Sequence, residues 1–260
     1  MGEPIRVLHI LQRMEAGGTQ ALLMNIYRKI DRTKVQFDFW VVYKEKQFYD
    51  DEIESMGGHV YKLSFREDLN LPKFQKDLKN FFKQHHEYQI VHCHAYTIGY
   101  FCLKAAKKAG IPVRIAHSHN NETVHDIKYL PKLFMQRLFT LNATDLFACS
   151  EEAGKYLFKD KPFRVLKNAI DSQQFIANEN TRREVRQELG LENKFVVGHV
   201  GRLHPQKNHD FLIDVFAEIK KKQPDAELIL VGTGPLEEKV RSKVADKGLT
   251  ESVQFLGNRK

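Results

Sequence analysis

Short apolar runs alternate with helical patterns along almost the whole chain. The runs have the length of buried strands and lie at residues 5–11, 37–43, 60–63, 90–94, 113–120, 146–149, 164–166, 196–200, 226–231 and 253–256. Between them lie segments with helical patterns, such as residues 72–85 and 151–158. Strands and helices that alternate in this way predict an α/β fold with a mostly parallel sheet wrapped by helices.

One strand, loop and helix, residues 196–219, carries the clearest candidate chemistry. The apolar run ends at Gly201, Arg202 follows it, and Lys207 stands where the next helix is predicted to begin. Ligands of open parallel sheets bind beyond the carboxyl ends of the strands, where a helix N-terminus carries about half a positive charge. We therefore predict a bound anion here, most simply a diphosphate; ordinary solvated loop charges are the alternative. The helix is predicted to bury one apolar face, formed by Phe211, Leu212, Val215, Phe216 and Ile219.

A glycine pair follows the first strand. Gly17 and Gly18 would let the backbone approach a ligand closely, and Thr19 is predicted to cap the helix that follows. A tight turn without a ligand explains the pair equally well.

Histidines stand near the ends of two predicted strands. His92 and His94 share one face of their strand, which is compatible with a metal site, although structural roles explain the pair as well and we predict no metal. His117 and His119 lie at the carboxyl end of residues 113–120, where the site residues of parallel sheets collect.

The stretch Gly-Arg-Leu-x-x-x-Lys-Asn at residues 201–208, followed by residues 228–236, resembles the group 1, or family 4, glycosyltransferases of the GT-B fold. Gly17-Gly18-Thr19-Gln20 resembles the family's Gly-Gly-x-Glu loop, with glutamine in place of the commoner glutamate. Residues 167–171 resemble its Pro-Asn-Gly-Val-Asp crossing between domains, with lysine and alanine in place of proline and glycine.

The resemblance implies two Rossmann-like, doubly wound parallel-sheet domains. Residues 1–170 would form the acceptor domain, and residues 171–260 the first half of the donor domain, with the boundary near Ile170. Only three strands are predicted in the second domain, fewer than in a complete doubly wound half, so we expect the chain to lack part of it. The third strand would have no helix after it, so bare apolar sheet surface and low cooperativity are expected after residue 190.

The resemblance also implies roles for individual residues. Arg202 and Lys207 would clamp the donor diphosphate, close to the backbone of Gly17 and Gly18. His119 would be the active-site histidine that contacts the transferring sugar and the leaving diphosphate, with His117 as the fallback and His94 as a secondary candidate. The loop bordering the nucleotide would contain Gly232, Gly234 and Pro235.

The activity implied is transfer of a sugar from a nucleotide diphosphate donor, expected to be a UDP-sugar, to a hydroxyl of a saccharide or lipid-linked acceptor. The resemblance further implies retention at the anomeric carbon and a place in cell-surface polysaccharide synthesis. It implies neither a metal nor a separate cofactor. Two alternatives stay open: a nucleotide-sugar epimerase of the same fold, and a non-catalytic nucleotide-sugar binder or partner-dependent subunit.

Charge and composition narrow the partners. The 41 basic residues exceed the 33 acidic ones, for a net charge of +8, which favours anionic partners. No nucleic-acid motif accompanies this charge, whereas a diphosphate donor and an anionic membrane surface both explain it.

Residues 125–141 form a basic amphipathic pattern that either lies on such a membrane or packs on the sheet. Without a signal peptide or an apolar stretch of about 18 residues, we expect a cytoplasmic protein, with peripheral contact at the inner face of the membrane.

Three cysteines, predicted to be small core residues, do not suggest a disulfide framework.

Overall fold

A computed structural model describes residues 2–63, 65, 69–120 and 129–259. The chain forms two compact units, Met1–Ser172 and Gln173–Lys260. The division falls close to Ile170, where the sequence places the domain boundary. Within the described ranges, no helix is long and apolar enough to cross a membrane.

The first unit is a parallel sheet with helices between its strands. The strand order is β3-β2-β1-β4-β5-β6-β7, which is the doubly wound order, and every pairing is parallel. The strands are β1 (Ile5–Ile10), β2 (Val35–Val41), β3 (Val60–Lys62), β4 (Tyr88–Cys93), β5 (Val113–Ser118), β6 (Asp145–Ala148) and β7 (Arg164–Val165). The helices are α1 (Gly18–Lys29), α2 (Asp50–Ser55), α3 (Leu71–Gln84), α4 (Tyr96–Lys108), α5 (Tyr129–Phe139) and α6 (Glu151–Phe158).

The second unit is smaller and contains a three-stranded parallel sheet in the order β10-β9-β8. Its elements are α7 (Glu179–Glu188), β8 (Phe195–Val200), α8 (His209–Lys222), β9 (Ala226–Val231), α9 (Glu237–Asp246) and β10 (Val253–Gly257). The predicted α/β class and the three strands of this unit are confirmed.

The first unit buries both faces of its sheet. Neighbouring side chains on a strand point to opposite faces, so Phe39 and Trp40 of β2 enter different cores. Phe39 packs with Met24 and Tyr27 of α1, while Trp40 packs with Phe74 of α3. Because helices cover both faces, ligands can reach the sheet only at its edges, and the carboxyl ends of the strands become the available site.

Two predicted helix starts are wrong. Gly17, in an extended conformation, is the N-cap of α1, and Thr19 lies inside the helix with no capping role. Lys207 belongs to a 3-10 turn, Pro205–Lys207, and α8 begins only at His209. The reason is Asn208, whose left-handed backbone (φ 48°) separates the two helical segments and whose side chain accepts a hydrogen bond from the Phe211 N–H at 3.4 Å.

The exposed apolar surface of the second unit also differs from the expectation. Among the described residues of this unit, the exposed large apolar side chains lie before and in α7 (Phe175, Ile176 and Val185), on β8 and on α8, not beside β10. On β8, Phe195 is 53% exposed and Val200 79%. Phe211 and Val215 of α8 are exposed too, because the helix buries a face centred on Ile213 and Phe216. In the described part of the chain, β8 pairs only with β9, so its other edge is open.

The cysteines agree with the prediction only in part. Cys93 and Cys102 are buried in the first core, whereas Cys149 is half-buried. Of the basic amphipathic segment, residues 121–128 lie outside the described residues. In α5, Phe139 is fully buried, while Leu130 and Phe134 are 74% and 61% exposed, so part of its apolar surface does not pack on the sheet.

Candidate functional site

Five histidines meet near the carboxyl ends of three neighbouring strands of the first unit. His9 on β1 stands in register with His92 on β4, and His94 follows the end of β4. His117 lies within β5, and His119 follows its end. Side chains two residues apart share a face of a sheet, so alternate positions on adjacent strands bring the imidazoles together. The rings of His117 and His119 are stacked, with centroids 4.0 Å apart.

Hydrogen bonds join these rings into two groups. His9 Nδ1 lies 3.2 Å from His94 Nε2, and His94 Nδ1 lies 2.8 Å from His119 Nε2. Separately, His92 Nε2 lies 3.0 Å from His117 Nδ1. A neutral imidazole has one donor nitrogen and one acceptor nitrogen, so the protons along the row of three must all point the same way. His119 Nδ1, which contacts no other polar group in the described part of the chain, is a donor in one arrangement and an acceptor in the other.

Burial keeps the cluster uncharged. It lowers the pKa of His9 to about 3, that of His117 to about 2 and that of His119 to about 4, with neighbouring imidazoles lowering the first two further. Burial likewise holds the pKa values of His92 and His94 well below 6.5. At neutral pH the cluster therefore offers neutral donors and acceptors rather than positive charge.

Tyr96, the first residue of α4, holds the backbone at the end of β5. Its hydroxyl accepts hydrogen bonds from the N–H groups of His119 and Asn120, the second at 2.9 Å. Burial raises the pKa of this phenol, so it stays protonated. Tyr96 therefore fixes the position of the His119 backbone. The sequence interpretation missed this residue; its one local signal is its place just after His94 at the start of a helix.

The glycine loop after β1 leads directly into α1. A side chain at Gly18 would meet nothing within 4 Å, so there is room beside the first turn of the helix. The first N–H groups of a helix have no partner within it, and they favour anions. Gln20 donates from Nε2 to the Arg13 carbonyl at 2.8 Å, which closes the loop on itself. The structural role of Gln20, which the sequence left open, is thus loop closure.

In the second unit, Arg202 and Lys207 lie on the loop that follows β8. Both are exposed, and neither side chain has a hydrogen bond or ion pair with another described residue. The Lys207 stem lies against Gly201, where an added Cβ would be 3.4 Å from the lysine Cδ. The loop thus presents two unpaired cations at the carboxyl end of a parallel strand, where anions bind.

The loop after β9 packs directly against this basic loop. Gly232 has φ +131°, and a Cβ there would lie 2.3 Å from the Gly201 carbonyl oxygen. A Cβ on Gly234 would lie 2.4 Å from the Leu203 carbonyl oxygen. The Leu203 N–H donates to the Thr233 carbonyl at 3.0 Å. Only glycines permit this backbone contact, which fixes the loop that carries Arg202.

The structure therefore brings the predicted residues together in two groups, one in each unit. His94, His117 and His119 form one cluster, with Gly17 and Gly18 beyond the end of the adjacent strand β1. In the second unit, Arg202 and Lys207 share a loop that Gly232 and Gly234 of the next loop pack against, and Pro235 follows these glycines in the chain. His9, which the sequence analysis did not single out, joins the first group. The functional role of each of these residues stays a prediction.

Comparison with known families covers nearly the whole chain. Residues 16–174 match the family described as Glycosyltransferase Family 4, and residues 181–260 match Glycosyl transferases group 1. The chain is 36% identical to the glycosyltransferase EpsF of Bacillus subtilis, over 97% of this chain and 68% of that protein. It is 25% identical to the capsular polysaccharide biosynthesis glycosyltransferase CapH of Staphylococcus aureus, over 97% of this chain and 70% of that protein.

Solved structures share the fold. The crystal structure of Anabaena HepE in complex with UDP and glucose superposes with a TM-score of 0.81 at 20% identity, covering 98% of this chain and 70% of that one. This likeness supports the GT-B architecture of the two parallel-sheet units.

Proposed function

We propose that this chain, which belongs to the group 1, family 4 glycosyltransferases, transfers a sugar from a nucleotide diphosphate donor to a hydroxyl acceptor. The donor is a UDP-sugar, and the acceptor is a saccharide or a lipid-linked saccharide used in cell-surface polysaccharide synthesis. The anomeric configuration is retained. Two neighbours support this proposal: CapH acts in capsular polysaccharide biosynthesis, and HepE has been crystallised with UDP-glucose.

The observation that carries the proposal is the pair of unpaired cations, Arg202 and Lys207, at the carboxyl end of β8. Negative charge gathers on the leaving diphosphate as the bond between the sugar and the phosphate breaks. Preorganised cations stabilise such charge where it develops, and each charge-assisted hydrogen bond contributes about 1.5–3 kcal/mol. The glycine contacts from the β9 loop keep the backbone that carries Arg202 in place, so little reorganisation is needed.

Residues of the first unit have proposed roles of their own. The N–H groups of α1 at Gly17 and Gly18 bind donor phosphates, and His119 contacts the transferring sugar and the leaving diphosphate. Tyr96 holds the His119 backbone, while His94 holds its ring through the 2.8 Å contact between Nδ1 and Nε2. We do not assign His119 as a general base, because its hydrogen-bond row is compatible with either proton arrangement.

The test is the binding of UDP and the turnover of Arg202→Ala and Lys207→Ala. Loss of one charge-assisted bond of this strength corresponds to about a 10- to 150-fold weaker Kd for UDP, and turnover should fall with it. Lys222→Ala, an exposed lysine at the other end of α8, is the matched control and should leave both unchanged.

Unchanged Kd and turnover in both loop variants would reject the diphosphate clamp. Tight UDP binding without transfer to any acceptor would favour the non-catalytic binder, and conversion of the donor sugar without an acceptor would favour an epimerase.

A further inference from the structure

The imidazoles of His94, His117 and His119 converge closely enough to share one ion. One ring nitrogen from each lies within 4.8 Å of the others. His94 and His117 are buried, and His119, just past the end of β5, is half-buried, so the group can be reached from the edge of the sheet. We propose that these three residues form a binding site for one divalent transition-metal ion of the zinc class.

The distance between two of the three ligands requires only a small adjustment. His94 Nδ1 and His119 Nε2 are 2.8 Å apart because they now share a hydrogen bond. Zinc lies about 2.0–2.1 Å from imidazole nitrogen in a tetrahedral site, which places ligand nitrogens about 3.3 Å apart. The two rings must therefore separate by about 0.5 Å. His119 lies just past the end of β5. Since Tyr96 holds its backbone, the shift must come from rotation of its side chain.

An outer shell for two of the ligands is already present. His94 Nε2 faces His9 Nδ1 at 3.2 Å, and His117 Nδ1 faces His92 Nε2 at 3.0 Å. Metal-binding histidines almost always have their second ring nitrogen held in this way. If each ligand donates its proton outward, His94 Nδ1 and His117 Nε2 both present lone pairs. His117 Nε2 is buried and contacts no polar partner in the described ranges.

The chemistry of the donors selects the ion. Three neutral imidazoles suit zinc, nickel or copper, whereas magnesium and calcium require oxygen ligands. A second trio, His9, His92 and His94, is fully buried and shares His94. It is the weaker candidate for two reasons. His9 and His92 contact the second ring nitrogens of the other trio, and none of its three rings is half-buried at the edge of the sheet. Three protein ligands leave a fourth position for water or an anion.

A functional consequence follows, and it rests on the proposed function. An ion bound to His119 engages the side chain that is proposed to contact the donor, so zinc should inhibit sugar transfer. Binding and inhibition are separate measurements, so failure of the metal site can be distinguished from failure of the role assigned to His119.

The binding test uses the whole chain after treatment with a chelator. Zinc affinity is measured by competition with a chromogenic chelator, and cobalt absorption reports tetrahedral coordination. We expect one ion per chain. His119→Gln and His117→Gln should lower the affinity at least about 100-fold, and His9→Gln, an outer-shell change, about 10- to 100-fold. His86→Gln, an exposed histidine between α3 and β4, is the control and should bind as the unaltered chain does.

His119→Gln is the decisive variant because its site at the sheet edge is least demanding for folding, and circular dichroism checks the fold of the buried variant His117→Gln. Absence of zinc binding, or His119→Gln binding zinc as well as the unaltered chain, would overturn the site. Zinc binding that leaves transfer uninhibited would uphold the site and contradict the role proposed for His119.

Discussion

Lowering the pH from 7 to 5.5 should strongly destabilise the first unit. Four of its histidines, His9, His92, His94 and His117, are at most 9% exposed and are neutral in the folded chain. Burial holds the pKa of His9 at about 3 and that of His117 at about 2, and it places those of the other two well below 6.5. In the unfolded chain, the same side chains titrate near 6.5.

The sign and size of the effect follow from proton linkage. At pH values below about 6.5 the unfolded state binds more protons than the folded state. The contribution of the neutral histidines to the free energy of unfolding is therefore present above that pH and is lost as the pH falls. Between pH 7 and 5.5, one such histidine removes about 1.2 kcal/mol from the free energy of unfolding, and four remove about 5 kcal/mol. Small domains have about 5–15 kcal/mol in total, so the loss is large enough to approach unfolding.

The assay is urea unfolding at several pH values in this range, with a chelator present. Trp40 is the single tryptophan and lies buried in the first core, so its fluorescence reports this unit directly. His9→Leu removes one titrating ring from a pocket already lined by Phe37 and Phe39, and it should reduce the pH-dependent loss by about a quarter. A loss below about 2 kcal/mol, or the same loss in His9→Leu, would refute the argument.

Two further predictions concern other parts of the chain. Gly234→Ala should destabilise the second unit by about 1–3 kcal/mol and weaken UDP binding, because its Cβ would lie 2.4 Å from the Leu203 carbonyl oxygen. Thermal unfolding and titration with UDP measure the two effects. Gly198→Ala is the control for both, since its Cβ would have nothing within 4 Å. Replacing exposed Leu130 and Phe134 by aspartate should lower co-sedimentation with anionic vesicles several-fold. No binding of the unaltered chain to anionic over neutral vesicles would contradict that prediction.

The order of the elements could be predicted from sequence because most of the strands are compact apolar runs. In β2, both Phe39 and Trp40 must be buried, which is typical of a sheet covered on both faces. Alternation of such runs with helices then favours the parallel, doubly wound arrangement that is observed. These signals are local, so they can be recognised without knowledge of tertiary contacts.

Helix starts could not be predicted as well, because they depend on backbone conformation. Thr19 has the side chain of a good cap, but the extended backbone is at Gly17. Lys207 precedes the apolar pattern of α8, but the left-handed backbone of Asn208 delays the helix. Threonine and asparagine are both favoured at N-caps, so composition alone does not choose between neighbouring positions.

Only part of the histidine cluster could be predicted from the sequence, and the reason is a different one. His117 and His119 mark the end of one strand, and a strand-end position is a local signal. The partner of His94 on its other side is His9, which is 85 residues away in the chain. That contact exists because β1 lies between β2 and β4 in the sheet, and strand order is a property of the whole unit.

The glycines of the second unit show why a motif and its function must be argued separately. Gly232 and Gly234 resemble a nucleotide-binding loop, but the contacts with the backbone of Gly201 and Leu203 require glycine whether or not a nucleotide binds. Their presence is therefore explained by packing. Packing does not explain Arg202, an exposed cation with no ion pair in the described part of the chain, at the position where parallel sheets bind anions. A bound diphosphate is therefore inferred from Arg202, and the glycines contribute by holding its loop in place.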